Sequence, residues 1–381
     1  MGRILITGAR APVALHLTRC LTEAGHSVFL ADSLCFPLAR ASRFTQTYVR
    51  LPEARKNPRA YGEAVAVACR AHHIDLVIPT CEEVFYLAAA RDCFDVDLPL
   101  LAPPMNDLAR VHDKFRFSQI AQGFGADPAE THLLATQDAV RAFRQSGDWI
   151  FKPVWSRFGD RVLIRPDKLD RLIVTREDPW IAQRYLAGEE LCAYAIAQAG
   201  RLVALQAYRP LYRAGKGIGA GIMVEPMSDP AIDQFVSGFI AHLNWTGQIS
   251  FDFRRDETGR VHVLECNPRA TTGAHFFRAR DGLAAALIEG VYATASEQRS
   301  LGVPLAMVIF GLPDALRNNC VTQWRRDLAG MGDLLESPDD RGTLPWQCLA
   351  LGEAIVRAVA GAQSLKAAAT ADIEWNGEDL L

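Results

Sequence analysis

Ile4, Leu5 and Ile6 form an apolar run that stops at Gly8, and Leu15, Leu17 and Leu21 then recur at helical spacing as far as Gly25. A second apolar run covers 27–31, so the chain opens as a βαβ unit. The alternation continues with a helix over 60–72, a strand over 75–79, a helix over 82–91 and a Pro-rich stretch over 98–104. Strands alternating with helices in this way predict a parallel sheet covered on its faces, and hence a first α/β domain over residues 1–105.

A helix over 107–122 follows, carrying Asp113 and Lys114, and a mixed region leads to Trp149-Ile150-Phe151-Lys152-Pro153. Strand signals dominate from 161 to 265. Residues 276–295 read as helix, 302–345 carry no clear pattern, 346–370 form an Ala-rich helix, and the last dozen residues are expected to be loosely ordered.

Composition narrows the classes. A chain of 381 residues exceeds what one core usually serves, so two or three domains with clefts between them are expected. The apolar and charged fractions, 49% and 22%, are those of a globular protein. A net charge of -3, with 41 basic and 44 acidic residues interspersed, gives no electrostatic footprint for nucleic acid or an anionic membrane. No apolar run approaches the roughly 20 residues of a membrane span, and the start of the chain leads into a strand instead of a signal peptide. Nine scattered cysteines without a C-x-x-C spacing argue against a disulfide framework or a zinc site and favour the reducing cytoplasm.

The opening unit suggests a dinucleotide fold, with Asp32 where an acidic ribose ligand would sit. Only Gly8 of the fingerprint is present, however, because Arg10, Ala11 and Pro12 occupy the segment where further glycines let a pyrophosphate approach. A nicotinamide-dependent oxidoreductase is therefore an alternative and not the first reading.

The strongest local pattern lies at Gly247–Arg269, two strand segments around Asp256-Glu257-Thr258-Gly259. A turn centred between Thr258 and Gly259 sets Asp252 opposite Glu265, with Asn267 on the same face; a register centred two positions earlier leaves the acids diagonal. Two carboxylates and an amide oxygen suit a hard cation such as magnesium. A solvated sheet face would carry similar residues.

Glu265-Cys266-Asn267-Pro268-Arg269 resembles the E-x-N-P-R signature of ATP-grasp enzymes such as carbamoyl-phosphate synthetase and the relatives of biotin carboxylase. The resemblance runs in order along residues 1 to about 275. It implies a Rossmann-like pre-ATP-grasp domain over 1–105, an ATP-grasp domain over 106–300 with a lid near 125–185 and a mixed-sheet domain, and a C-terminal cap and helical tail over 301–381. It also implies ATP with magnesium or manganese as cofactors. Asp252, Glu265 and Asn267 become the metal ligands, and Lys114 and Lys152 the nucleotide-phosphate lysines. Gln183, Arg184, Tyr185 and Leu186 become the adenine contacts, with Glu190 on the ribose.

Arg269 is assigned by the same likeness to the transferring phosphoryl group, since a guanidinium fork matches phosphate geometry. Arg213 and Lys216, in a glycine-rich loop that is not a P-loop, become candidates for the substrate carboxylate or reacting phosphate. His275 is a candidate general base, and Thr271, Thr272 and Gly273 would line the acceptor side. The lid departs from the family in having one glycine, Gly159, where several are usual, and Arg157 is a candidate substitute for the missing backbone donors.

These implications describe an α/β and α+β multidomain, ADP-forming carboxylate–amine ligase acting on small-molecule carboxylate and amine substrates, with homodimerisation left open. An ATP-binding sensor or scaffold without turnover is the alternative from another class.

Overall fold

The computed structural model describes residues 1–143, 147–156, 161–214, 219 and 221–380. Arg157, Gly159, Lys216 and most of the glycine-rich loop lie outside these residues.

The first sheet is parallel, with β1 (Arg3–Thr7), β2 (Ser27–Asp32), β3 (Thr45–Arg50) and β4 (Leu76–Ile78) in the order β3-β2-β1-β4. Helices Pro12–Glu23, Pro58–His72 and Glu83–Cys93 follow its strands, as the alternating pattern leads one to expect. Gly8 closes β1 at φ 66°, where a Cβ would meet the Thr80 hydroxyl at 2.6 Å and the Glu83 carboxylate at 2.7 Å. The strand ends where a dinucleotide phosphate would approach are occupied by the chain itself. Arg10 reaches Asp32 at 2.5 Å and Asp372 at 2.7 Å, and both carboxylates are almost fully buried.

Two further sheets carry the middle of the chain. In chain order these strands are β5 (Asp127–Pro128), β6 (Thr131–Leu134), β7 (Trp149–Pro153), β8 (Leu163–Ile164), β9 (Trp180–Arg184), β10 (Glu189–Gln198), β11 (Arg201–Arg213), β12 (Gly221–Met227), β13 (Gly247–Arg255), β14 (Val261–Asn267), β15 (Leu301–Gly302) and β16 (Gly332–Asp333). One sheet is small and antiparallel, in the order β6-β9-β7-β8; the other has eight strands in the order β16-β15-β12-β11-β10-β13-β14-β5. Its central pairs are antiparallel, with parallel pairs at its two edges.

One face of the large sheet is covered by the helix Pro230–His242, which the strand-dominated reading of 161–265 had not included. Asp229 caps it by accepting from the Ala231 N–H at 2.8 Å, Pro230 begins it, and Ile232, Phe235, Val236, Phe239 and Ile240 recur at helical spacing. Phe235 and Phe239 pack on Phe251, and Phe235 also on Phe253, with ring centroids 5.3 to 5.5 Å apart. Each such fully buried ring contributes about 1.5–3 kcal/mol. Because side chains alternate along β13, Asp252 and Arg254 point the other way, towards an open cleft.

Three further expectations need correction. The helix foreseen over 107–122 is two helices, Met105–His112 and Lys114–Ile120, because Asp113 turns extended and its carboxylate accepts from Phe115 and Arg116 N–H at 2.9 Å each. The helix foreseen over 276–295 shrinks to the turn Ala279–Asp281 and the helix Leu283–Ile288, and Gly290 follows in the left-handed region. Residues 370–380 are not loose. Ile373 and Trp375 are buried, and Trp375 lies against both Phe85 and Trp155 at 4.9 Å between centroids.

The stretch without a clear sequence pattern holds helical segments from Pro304 to Arg317 and the helix Val321–Gly330. Trp324 joins Ile222, Met223 and Met307 in a small core. No helix among the described residues is long and apolar enough to cross a membrane.

Candidate active site

A cleft of about 310 Å³ opens between the small sheet and the face of the large one opposite the helix Pro230–His242. β7 and β8 contribute Ile150, Lys152 and Ile164, while the β10, β13 and β14 region contributes Glu190, Asp252, Glu265 and Asn267. Arg269, just beyond β14, lies on the same wall.

The register brings the acids together: Asp252 stands directly opposite Glu265, and Ser250 opposite Asn267. An irregularity between Asp252 and Phe253 shifts the pairing nearer the turn by one, so Arg254 meets His262. The Asn267 amide donates to Asp252 Oδ2 at 3.1 Å. Lys152 Nζ donates to Glu265 Oε2 at 3.0 Å, and Lys114 Nζ lies 3.8 Å from the same oxygen while donating to the Ser156 carbonyl at 2.6 Å. Two lysines from separate elements therefore converge on one carboxylate.

The charges are unequally matched. Burial pushes the Asp252 carboxyl upward and the neighbouring Glu265 and Glu190 push it further. Burial acts on Glu265 in the same sense, but Lys152 and then Lys114 outweigh it and hold that carboxyl below its ordinary range. The site thus holds one firmly ionised acid and one short of positive charge. Its donors are oxygens, which fit magnesium better than a softer ion.

Arg269 lies 3.8 Å from Glu82, which follows β4 of the first sheet, and donates to the Ala270 carbonyl at 3.1 Å. Arg213 donates to Glu190 at 2.6 Å, with Arg254 3.6 Å from the other oxygen of that carboxylate. Thr271 and Thr272 also line the cleft, and Thr271 shares hydrogen bonds with Ser250 and Tyr208 at 2.9 and 3.1 Å.

The sequence-derived candidates separate into two groups. Lys152, Gln183, Glu190, Arg213, Asp252, Glu265, Asn267 and Arg269 line the cleft. Lys114 lies behind Lys152 and reaches Glu265 from there. The segment 184–186 sits at the β9 end: the Arg184 and Tyr185 N–H groups already donate to Glu130 and Asp148 carbonyls at 2.8 Å each, which leaves those two donors engaged. Leu186 is half-buried beside them. Gln183 is buried, its amide donating to Thr131 and to the Leu264 carbonyl at 3.1 Å each.

His275 is elsewhere. It is buried against His16, 4.8 Å between ring centroids, and burial followed by the His16 charge pushes its imidazole well below the ordinary value. Packing, not proton transfer at the cleft, accounts for it. Gly273 is similarly enclosed, since a Cβ there would meet Tyr194 at 2.5 Å.

The sequence reading passed over Arg254 and Glu82. Arg254 was within reach, because it shares a strand face with Asp252 two residues away. Glu82 had no such signal, since its approach to Arg269 depends on how the first sheet meets the large one.

No family model matches the sequence, and no curated protein matches it. Solved structures do share its fold. N5-carboxyaminoimidazole synthetase from Staphylococcus aureus is 13% identical, with a TM-score of 0.61 over 84% of this chain and 86% of that one. L-amino acid ligase from Bacillus licheniformis is 15% identical, with a TM-score of 0.58 over 76% and 74%. A β-γ-ATP complex of biotin carboxylase from Campylobacter jejuni is 15% identical, with a TM-score of 0.54 over 76% and 68%. The likeness is one of fold, and the fold is the ATP-grasp architecture.

Proposed function

We propose that this ATP-grasp chain is an ADP-forming ligase that joins a small carboxylate to an amine through an acyl phosphate. The reading is carried by one observation: Lys152, Glu265, Asp252, Asn267 and Arg269 form a continuous polar line across the cleft, from β7 of the small sheet to β13 and β14 of the large one. Cations at both ends with paired carboxylates between them suit a bound polyphosphate.

In this reading Lys152 and Lys114 neutralise phosphate oxygens of ATP, the segment 183–186 receives the adenine through groups other than the engaged Arg184 and Tyr185 N–H, and Glu190 receives the ribose. Asp252, Glu265 and Asn267 would hold magnesium or manganese, which when bound offsets phosphate charge and aligns the terminal phosphoryl group. Arg269 orients the acid at the phosphoryl end, with Arg213 and Thr271 along the adjoining wall.

The chemistry follows from that arrangement. A carboxylate oxygen forms a bond to the terminal phosphorus as the bond to ADP breaks. The amine nitrogen then attacks the acyl carbon, the bond to phosphate breaks, and the amine proton leaves to solvent. Charge spreads over phosphoryl oxygens throughout, so positioning and electrostatic stabilisation carry the rate.

The test is ADP release measured across amino acids and other small acids with magnesium present. Acid-dependent release is expected. A folded protein that binds nucleotide and releases no ADP with any acid would instead be a nucleotide sensor.

A further inference from the structure

The helix Thr343–Ala360 is inverted relative to an ordinary surface helix. Its charged residues face the protein: Glu353 accepts from the Cys35 and Phe36 N–H groups at 2.8 Å each, and Arg357 lies 3.3 Å from Asp372. Its apolar residues face outward, including Leu349, Ile355, Val356 (68% exposed) and Val359 (78% exposed). A surface helix normally shows the reverse pattern, so this stripe has the character of a covered face.

The stripe is also symmetric about Gly352. Leu349 and Ile355 lie three residues to either side, Cys348 and Val356 four, and Pro345 and Val359 seven. A Cβ at Gly352 would have nothing within 4 Å, so the backbone there is open to close approach. A two-fold interface requires each residue i to meet j while j meets i, and this arrangement meets that condition.

We propose that this helix pairs with its own copy in a second chain, antiparallel and crossing at Gly352. Leu349 then meets the other chain's equivalent of Ile355, and Cys348 that of Val356. The largest apolar patch on a monomer reaches roughly 300–600 Å². Two such patches together approach the roughly 1,200 Å² at which specific interfaces begin. The stripe carries no cation, whereas a helix lying on a membrane is typically rich in Lys and Arg; a second copy suits it better. The proposal is independent of the assigned chemistry.

The experiment is light-scattering mass over a range of protein concentrations, on the full chain. Twice the chain mass is expected, reverting to the single-chain mass in Val356→Asp, whose exposed position leaves the fold intact. Crosslinking gives a second readout with Cys93 replaced by Ser. Gly352→Cys, also carrying Cys348→Ser, should oxidise to a covalent dimer. Native Cys348 should not, because four residues either side of an antiparallel crossing separates the two Cα atoms by about 12 Å, beyond the ~7 Å a disulfide spans. A monomer at every concentration, a dimer indifferent to Val356→Asp, a Cys348 crosslink, or a monomer that sediments with phosphatidylcholine vesicles would each overturn the proposal.

Discussion

Lys152 and Glu265 meet at 3.0 Å from two different sheets, 113 residues apart in sequence. A lysine presented by β7 to an acid on β14 closes the cleft's charged wall without any ligand, and on the proposed chemistry it exchanges that partner for phosphate when nucleotide binds.

The first prediction concerns the acid. Glu265→Gln keeps the shape of the side chain and removes the charge that Lys152 and Lys114 share. Acid-dependent ADP release should fall by about 100-fold or more, since metal and phosphate stabilisation is worth several kcal/mol and each 1.36 kcal/mol is tenfold. Steady-state rates, beside a melting curve to establish folding, give the answer; turnover like the parent's would remove Glu265 from the chemistry.

Asp252 leads to a pH prediction. Its carboxyl is pushed well above the ordinary carboxylate range, by burial first and then by Glu265 and Glu190. For an acid raised on folding, the stabilising contribution is fully present below the ordinary carboxylate value and is lost as pH rises through the raised one. The ligand-free protein should therefore lose stability on approaching neutrality. A bound cation favours the ionised form, so magnesium-nucleotide affinity should rise over the same interval with proton release. Calorimetry in buffers of different ionisation enthalpy measures that release, and Asp252→Asn should abolish it.

Arg269→Met should lower turnover by roughly 10-fold to 100-fold, because a hydrogen bond to a charged group is worth about 1.5–3 kcal/mol. Nucleotide affinity should change little, as Lys152 and Lys114 remain. A loss of nucleotide binding with unchanged kcat would reassign Arg269.

Trp375→Ala addresses the C-terminal segment. Removing a buried indole packed on Phe85 and Trp155 should cost about 3–5 kcal/mol, read from denaturant unfolding. A cost below about 1 kcal/mol would mean that the segment adds little to the fold.

The opposition of Asp252 and Glu265 was legible because a hairpin with Gly259 in its turn restricts the register to a few choices, and the two-residue repeat of a strand then assigns each face. The irregularity beside Asp252 was not, since a bulge answers to neighbouring strands. The helix Pro230–His242 was legible in principle, from the Asp229-Pro230 start and the spacing of its apolar residues, yet the strand-rich surroundings masked it. Arg10 and Asp372 are 362 positions apart, and no local pattern links residues so distant. His275 shows the opposite failure: a residue type suited to catalysis, beside a signature, turned inwards by packing.

The most direct measurement replaces the amine with hydroxylamine, in the presence of ATP, magnesium and an acid that stimulates ADP release. Hydroxylamine is small enough to attack an activated acyl group where the natural amine docks, so hydroxamate and ADP should form in equal amounts. ADP released without hydroxamate, while a stable phosphorylated product accumulates, would identify a phosphotransferase and contradict the ligase account.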